Sequence, residues 1–414
     1  MDLLSRAQAG IVRTEREGRL QSAERAVPTQ LYEREGIGPS FSLIQGGLQA
    51  ILKGDSRMSD VLPFPPRPNL EQYKKLARDL QHASTGSIAE WASRWPGDAA
   101  RIEQHWREFG KSPCTLTEAQ FFLARQHGFA SWSRFAEHVE ALAEKSSGVS
   151  QFEAAADAIV SGDMQTLGAL LSANPELVLQ RSMRDHQSTL LHYVSANGVE
   201  DYRQKSPPNI LEIARLLLDA GADVNAESDA YGGGSTALNL TATSVHPERA
   251  GVQIALMELL LDRGAKIRKG DVWSCLGNGR GEAAEFLASK GAPLNSAEAA
   301  GVGRLDLVRA NFDASKMTDA LGWACQFSRH PVVEFLVEQK PSREALDRGL
   351  HWAAYAGEPE IVKTLLARGA PADEKDDRFH ATPLGWAMHA KRNGRAGRFD
   401  EVFRLLIAAG AKAL

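Results

Sequence analysis

Residues 217–226 of this 414-residue chain read Leu-Leu-Asp-Ala-Gly-Ala-Asp-Val-Asn-Ala, the end of a leucine-rich segment followed by a glycine turn. The glycine–alanine pair of this stretch recurs at 264–265, 291–292, 369–370 and 410–411. Each pair follows a leucine-rich segment, and a glycine that ends a helix adopts the positive φ that other residues take only at a steric cost. The pattern predicts a series of helices that each end at one of these glycines.

A shorter helix built on small residues precedes several of these segments. Residues 190–198 (Leu-Leu-His-Tyr-Val-Ser-Ala-Asn-Gly) and 350–357 (Leu-His-Trp-Ala-Ala-Tyr-Ala-Gly) are examples. Small side chains let paired helices pack closely, and each pair buries one face against its neighbour. We predict about eight pairs over residues 150–414, which begin near residues 150, 184, 231, 270, 295, 317, 346 and 377. The spacing predicts that units four to six are short, without a projecting hairpin, and that units two and three carry insertions at 199–209 and 244–252.

These segments resemble the ankyrin repeat family. Residues 189–192 and 382–385 match in part its threonine–proline–leucine–histidine signature, and residues 217–226 match its second helix and turn. The resemblance implies an all-α fold, an ankyrin-type helix-turn-helix solenoid preceded by a small helical bundle. It also implies that His192 and His351 bond to their own turn and to neighbouring backbone. Because the family usually binds proteins, the resemblance implies a protein partner.

The first part of the chain has a different pattern. Residues 1–67 carry no sustained helical stripe and end in a proline cluster, which predicts a disordered tail and a linker. Codons for residues 53–55 can spell a purine-rich ribosome-binding site, so Met58 is a candidate natural start. Residues 68–146 show helical apolar spacing, and Thr117 followed by Gln120 has the spacing of a capping box. Residues 123–132 resemble a helical domain that often precedes ankyrin repeats in bacterial proteins, which implies an adapter or cap.

The charge composition narrows the classes of partner. The chain has 48 Lys and Arg residues against 52 Asp and Glu residues, a formal net charge of −4. Phosphate binding needs a concentrated basic surface, so the sequence predicts no nucleic-acid partner. The three cysteines are far apart, the histidines lack metal-ligand spacing, and no apolar run approaches the roughly 20 residues of a membrane helix. We expect a soluble cytoplasmic protein with no metal, no cofactor and no membrane contact.

The binding surface of such a repeat array is its concave side, which is lined by the last turn of each short helix and by the hairpin tips. Side chains at these positions are a mixture of aromatic and polar groups, which suits a protein segment or a small polar ligand. The candidate binding residues are Asn197, Tyr231, Thr243, Ser244, Asn278, Gln326, Tyr355, Phe379 and His389.

A catalytic site in the two insertions is the alternative hypothesis, as in a hydrolase or lyase of a polar small molecule. Glu200 or His246 would act as the acid–base group, and Arg203 or Arg249 would hold an anionic oxygen near the phenol of Tyr202. The opposing interpretation is that the glutamate and the arginines pair with one another and hold the loops in place.

A second group of polar and aromatic residues lies in the last two units. Carboxylates near histidines can perform acid–base chemistry or hold a metal, but this group lacks a nucleophile and a recognisable ligand spacing. We therefore expect Asp377 to shape a turn and Asp376 to lie in solvent. The group comprises His351, Trp352, Tyr355, Asp376, Asp377, Trp386 and His389.

Overall fold

The computed structural model describes residues 61–377 and 379–412. The predictions for residues 1–60, including a natural start at Met58, lie outside the described residues. The described chain divides into two compact units, with the boundary between Ser274 and Cys275. Helices make up nearly all the regular structure of the described residues, beside one short two-stranded sheet. The predicted all-α class, with stacked helix pairs, is confirmed.

The first unit opens with a bundle of short amphipathic helices. Trp91, Phe122 and Phe135 lie in its buried apolar core, which the helices enclose because each carries apolar residues at helical spacing. The bundle helices are α1 (Leu70–Ala83), α2 (Ala89–Ala92), α3 (Ala99–Phe109), α4 (Leu116–Gln126) and α5 (Trp132–Ala143).

Helix α4 begins earlier than its predicted capping box. The hydroxyl of Thr115 accepts a hydrogen bond from the backbone N–H of Glu118 at 3.2 Å, and the Glu118 carboxylate accepts one from the Thr115 N–H at 2.9 Å. The assignment to Thr117 and Gln120 was wrong because both pairs have the same spacing. Only Thr115 has the extended backbone of a cap residue, whereas Thr117 already lies inside the helix.

Residues 61–64 belong to the bundle, although the sequence placed them in a linker. Val61 and Leu62 are buried, and the backbone N–H of Leu62 donates to the carbonyl of Gln126 at 2.7 Å. The ring of Phe64 stacks on His127 with a centroid separation of 4.9 Å. The prolines in and after this segment predicted an extended linker. Its three apolar side chains nevertheless bury surface against the core.

The rest of the first unit consists of helix pairs. A short hairpin links the second pair to the third, and an additional helix, α11, lies in the insertion after residue 243. The insertion at 199–209 contains a 3-10 turn, Asp201–Arg203. The elements are α6 (Gly148–Ser161), α7 (Met164–Ala173), α8 (Leu190–Tyr193), α9 (Ile210–Asp219), β1 (Glu227–Ser228), β2 (Ser235–Thr236), α10 (Ala237–Thr243), α11 (Val245–Arg249) and α12 (Gln253–Asp262).

Helix α13 (Asp271–Gly277) contains the boundary, and the second unit continues with further helix pairs. The first helices of successive pairs pack on one another, and the second helices do the same. The elements are α14 (Gly281–Ser289), α15 (Ser296–Gly301), α16 (Leu305–Ala310), α17 (Met317–Gln326), α18 (His330–Glu338), α19 (Arg343–Ala356), α20 (Pro359–Ala367), α21 (Pro383–Arg392) and α22 (Phe399–Ala408).

The glycines of the recurring glycine–alanine pairs have the predicted conformation. Gly221, Gly264 and Gly291 have φ values of 98°, 91° and 92°, and Gly369 and Gly410 have values of 84° and 100°. Each follows the second helix of a pair and lets the chain turn toward the next unit. Among the described residues, none of the helices has both the length and the apolar character needed to cross a bilayer.

Candidate functional site

Two arginines and two glutamates form a buried ionic cluster in the first unit, here called the Arg–Glu cluster. Arg184 Nη1 lies 2.6 Å from Glu153 Oε1 and 2.7 Å from Glu200 Oε1. Arg203 Nη1 lies 2.7 Å from Glu153 Oε2 and 3.4 Å from Glu200 Oε1. None of the four side chains is more than 9% exposed. Each arginine is therefore paired with both buried glutamates, and Arg203 also contacts the exposed Asp157, with Nη2 at 2.8 Å from Oδ1.

The ionisation of the two carboxyls follows from this arrangement. Burial by itself raises the pKa of a carboxyl, but the guanidiniums of Arg184 and Arg203 outweigh it and lower the pKa of Glu153 to about 2. The same balance holds the pKa of Glu200 well below its ordinary value. Both glutamates are therefore charged at neutral pH, and their role is to neutralise the two arginines.

The Arg–Glu cluster also joins the helix pairs to the bundle within the first unit. The guanidinium of Arg184 lies over the rings of Phe64 and Phe129, 5.5 and 5.7 Å from their centroids, and donates to the Tyr202 hydroxyl at 3.3 Å. An ion pair between Arg125 and Asp185 connects the same two parts. The insertion at 199–209 thus supplies side chains to a structural junction.

The five residues of the catalytic hypothesis do not share one open groove. Glu200 and Arg203 are buried and paired as described, so a substrate cannot reach them in this arrangement. His246 and Arg249 lie on helix α11, where Arg249 is exposed to solvent. Of the expected pairing among Glu200, Arg203 and Arg249, the contact between Glu200 and Arg203 is present, whereas Arg249 is exposed on helix α11. The other members of the cluster, Arg184 and Glu153, were missed because no local pattern in the sequence connects them. The structure gives the catalytic hypothesis no support at these positions.

Three of the first-unit binding candidates prove to be buried. The amide of Asn197 donates to the Leu240 carbonyl and to the Thr243 hydroxyl, both at 3.1 Å, and the Ser244 hydroxyl donates to the Ala196 carbonyl at 3.1 Å. These bonds hold neighbouring repeats together, so the prediction that the three side chains face a partner was wrong. The small helices approach so closely that the polar groups at their ends bond to each other.

Tyr231 is the exposed candidate in the first unit. Its side chain is 44% exposed, and its hydroxyl donates to Asn197 Oδ1 at 2.5 Å. Its φ of 55° lies in the left-handed region, which costs energy for a residue other than glycine. Tyr231 projects from the hairpin tip and is anchored there by its hydroxyl.

The signature histidines have the structural role that the resemblance implied. The backbone N–H of Thr189 donates to His192 Nδ1 at 3.0 Å, and His192 Nε2 lies 3.1 Å from the Ala226 carbonyl. In His351, Nε2 likewise lies 3.1 Å from a carbonyl, that of Ala381, but Nδ1 lies 2.9 Å from the Asp347 carbonyl of its own helix. Both rings are buried and hold the turn of the following hairpin.

Four aromatic side chains of the second unit lie close together. They belong to helix α19, to helix α21 and to the loop that precedes α21. We call Trp352, Tyr355, Phe379 and Trp386 the aromatic cluster. Trp386 lies 5.0 Å from Trp352, 6.0 Å from Tyr355 and 5.6 Å from Phe379 between ring centroids, with steep angles between the ring planes. Trp352 is buried, and the other three rings are half-buried. The cluster therefore has a packed interior and a surface that a partner can contact.

The other second-unit candidates surround this cluster or lie further along the repeats. Gln326 is buried, so the prediction that its side chain faces a partner was wrong, whereas Asn278 and His389 are half-buried. Burial, followed by the charge of Arg392, lowers the pKa of His389, so its imidazole is neutral at neutral pH. The guanidinium of Arg395, which the sequence did not single out, lies 4.8 Å from the Tyr355 ring centroid.

Asp376 fixes the loop that carries Phe379. Its carboxylate accepts hydrogen bonds from the backbone N–H of Phe379 at 2.7 Å and of Ala381 at 3.1 Å. It also accepts one from Trp386 Nε1 at 2.9 Å. The expectation that Asp376 lies in solvent was wrong, because the loop folds back and directs three donors at this one side chain.

Comparison with known proteins finds similarity to ankyrin repeats in two segments of the chain. The ankyrin repeat family model matches residues 186–229 and 350–377. A solved structure of the human ASB11 ankyrin repeat domain is 19% identical in sequence, with a TM-score of 0.34, over 62% of this chain and 98% of that domain. The first matched segment lies in the first unit and the second lies in the second unit. The family model thus matches one segment in each of the two units.

Proposed function

We propose that the protein is a recognition scaffold that binds a protein partner at the aromatic cluster of the second unit. Ankyrin repeats in general serve as scaffolds for protein–protein interaction, and stacked repeats present an extended concave surface for this purpose. The proposal rests on one observation: three half-buried aromatic rings, those of Tyr355, Phe379 and Trp386, meet at one place in the second unit.

Aromatic side chains in such an arrangement suit binding. Tyrosine and tryptophan bury a large area at low cost in conformational entropy, and they dominate the binding energy of many interfaces. Here Trp352 and the hydrogen bond from Trp386 to Asp376 hold the rings in place before a partner arrives. A rigid surface loses little entropy on binding, which favours recognition over an internal packing role alone.

The helical bundle contributes a second part of this proposal. Its contacts with the first repeats run through the Arg–Glu cluster and through the Arg125–Asp185 pair, so the bundle covers the apolar start of the repeats in the first unit. Repeat arrays need such a cap at their ends. The bundle is thus proposed as an N-terminal cap, and its bacterial relatives and the cytoplasmic location remain predictions from the sequence.

A photo-cross-linking experiment tests the scaffold function. The photoreactive residue p-benzoylphenylalanine replaces His389, next to the aromatic cluster, or Ile407, an exposed residue of the outer helix α22. Irradiation of cells that express the full chain should yield a discrete protein adduct from position 389 but not from position 407. Tyr355→Ala, with its fold verified by circular dichroism, should remove that adduct. Identical adducts from both positions, or adducts that ignore Tyr355→Ala, would contradict the proposal.

A further inference from the structure

We propose that the partner presents a lysine or arginine to an acidic cleft beside the aromatic cluster and an adjacent apolar side chain to the aromatic rings. This inference rests on the proposed scaffold function and specifies the chemistry of the protein segment that binds. The cleft is open, with a volume of about 370 Å³, and lies between the start of helix α19 and the loop after α20. Its lining residues are Arg343, Glu344, Asp347, Glu374, Lys375, Asp376 and Asp377.

The lining charges favour a cation. Five carboxylates stand against two cationic side chains, which gives the lining a formal charge of −3. One of the two cations, Arg343, already pairs with Glu374. A cleft with such an excess attracts and orients a positively charged group of a partner.

Asp347 shows the effect of this excess on one carboxyl. Burial raises the pKa of Asp347, and the nearby carboxylates of Glu374 and Asp376 raise it further, against the lowering effects of His351 and Arg343. Its Oδ1 atom is shielded from solvent, accepts no hydrogen bond among the described residues and lies 3.4 Å from His351 Nδ1. The carboxylates of Glu374 and Asp376 thus repel the charge of Asp347, and a cation from a partner would offset this repulsion.

Asp376 makes the cleft and the aromatic cluster one continuous surface. It lines the cleft and also accepts the indole N–H of Trp386 and the backbone N–H of Phe379. A basic side chain in the cleft would therefore place its neighbouring residues on the aromatic rings. An alternating basic and apolar segment fits both parts of the surface without a change in the fold.

Charges on the far side of the cluster give the segment a direction. The guanidinium of Arg395 covers the face of Tyr355, so a second cation has no favourable place there. Arg348, on the face of α19 that also carries Trp352, pairs with Asp319. The basic residue is thus confined to the cleft end of the surface, where the carboxylates are in excess.

Selection of a random peptide library tests this chemistry. Phage that display random 12-residue peptides are selected on the purified full chain and on three variants. The first variant, Glu344→Gln with Asp377→Asn, neutralises two exposed carboxylates of the cleft. The second, Glu334→Gln with Glu338→Gln, removes two exposed carboxylates from helix α18 and serves as the matched control. The third is Tyr355→Ala.

The wild type and the control should enrich peptides with a lysine or arginine next to an aromatic or aliphatic residue. By fluorescence anisotropy, the most enriched peptide should bind the cleft variant about fivefold to tenfold more weakly and the control unchanged. Its affinity should also fall when the sodium chloride concentration rises from 50 to 500 mM.

The outcomes separate this inference from the scaffold function. The acidic-cleft inference is overturned if the selected peptides depend on Tyr355 but contain no basic residue. It is also overturned if they bind the cleft variant and the wild type with the same affinity. Either result leaves the scaffold function standing. A library that yields no peptide dependent on Tyr355 contradicts both.

Discussion

Acidification from pH 7 to pH 5 should destabilise the first unit through three buried histidines. Burial lowers the pKa of His127 to about 3 and that of His138 and His192 to about 4, from an ordinary value of 6.5. The unfolded chain therefore binds protons below pH 6.5 that the folded chain does not. Stability is fully present above this value and falls as the pH drops toward the folded pKa values.

The size of the effect follows from these shifts. Each histidine should cost roughly 2 kcal/mol of unfolding free energy between pH 7 and pH 5, and the three together roughly 6 kcal/mol. That is a large fraction of the 5 to 15 kcal/mol typical of a folded domain. Glu153, with a pKa of about 2, remains charged over this range and adds little. Burial raises the pKa of Asp185 and Asp271, so these two groups act in the opposite sense at lower pH.

A single substitution isolates one of the three contributions. Both ring nitrogens of His138 are buried without a hydrogen bond among the described residues, and its ring lies 5.2 Å from Phe64 and 4.9 Å from Phe129. His138→Phe should therefore fold and should lose about 2 kcal/mol less than the wild type between pH 7 and pH 5. The exposed His82→Phe is the matched control and should keep the wild-type pH dependence.

The assay must report on the first unit alone. Cys114 is buried there, whereas Cys275 and Cys325 belong to the second unit. Urea unfolding followed by the reaction of Cys114 with 4,4′-dithiodipyridine, which modifies thiols at both pH values, gives the free energy of this unit once the modified peptide is identified by mass spectrometry. An equal loss in His138→Phe and in the wild type would refute the assignment of the acid sensitivity to this buried ring.

Three further substitutions test individual elements. Arg184→Met leaves Glu153 buried with one cation fewer and should cost about 3 to 5 kcal/mol in the same thiol assay, and a loss below about 1 kcal/mol would contradict the ionic role. Thr115→Ala should lower the unfolding free energy by about 1 kcal/mol, and Thr117→Ala should lower it by less than about 0.5 kcal/mol. A larger loss in Thr117→Ala than in Thr115→Ala would show that Thr117 is the cap residue, as the sequence predicted. Gly357→Ala should cost about 1 to 3 kcal/mol in thermal unfolding, because φ is 72° and its Cβ would lie 2.8 Å from the Cα of Gly397, and an unchanged Tm would show that the turn relaxes.

The fold was predictable from sequence where its cause is local. The conformation of Gly221 and the helix before it follow from residues within a few positions of each other, and the same pattern recurs along the chain. The sequence analysis placed the capping box two residues too late, because Thr115 and Thr117 each have a polar residue three positions later. Periodicity indicates that a helix begins nearby, but the backbone geometry decides which threonine caps it.

The functional residues were harder to predict because their partners are distant in sequence. Glu200 and Arg203 stand out in an insertion, but Glu153 precedes Arg203 by 50 residues and lies on a helix that looks like ordinary repeat packing. Sequence spacing alone therefore made a structural ion-pair cluster look like acid–base chemistry. Asp376 was predicted to lie in solvent for the same reason. The sequence around it does not indicate that the indole N–H of Trp386 donates to its carboxylate.

Several candidate positions at the ends of the first helices are buried, Gln326 of the second unit among them, whereas Tyr355 and His389 are half-buried. This difference favours the part of the second unit that carries Tyr355 and His389 as the place of binding. In the first unit, Asn197 and Thr243 bond to each other and are buried, so their polar groups are already satisfied. In the second unit, Tyr355 and His389 are half-buried and lie beside a cleft with excess negative charge. A partner gains little from polar groups that are already paired, whereas it gains both apolar contact and charge compensation from the second surface. Loss of the Arg–Glu cluster should therefore weaken the fold of the first unit, and loss of Tyr355 should weaken binding without an equal effect on stability.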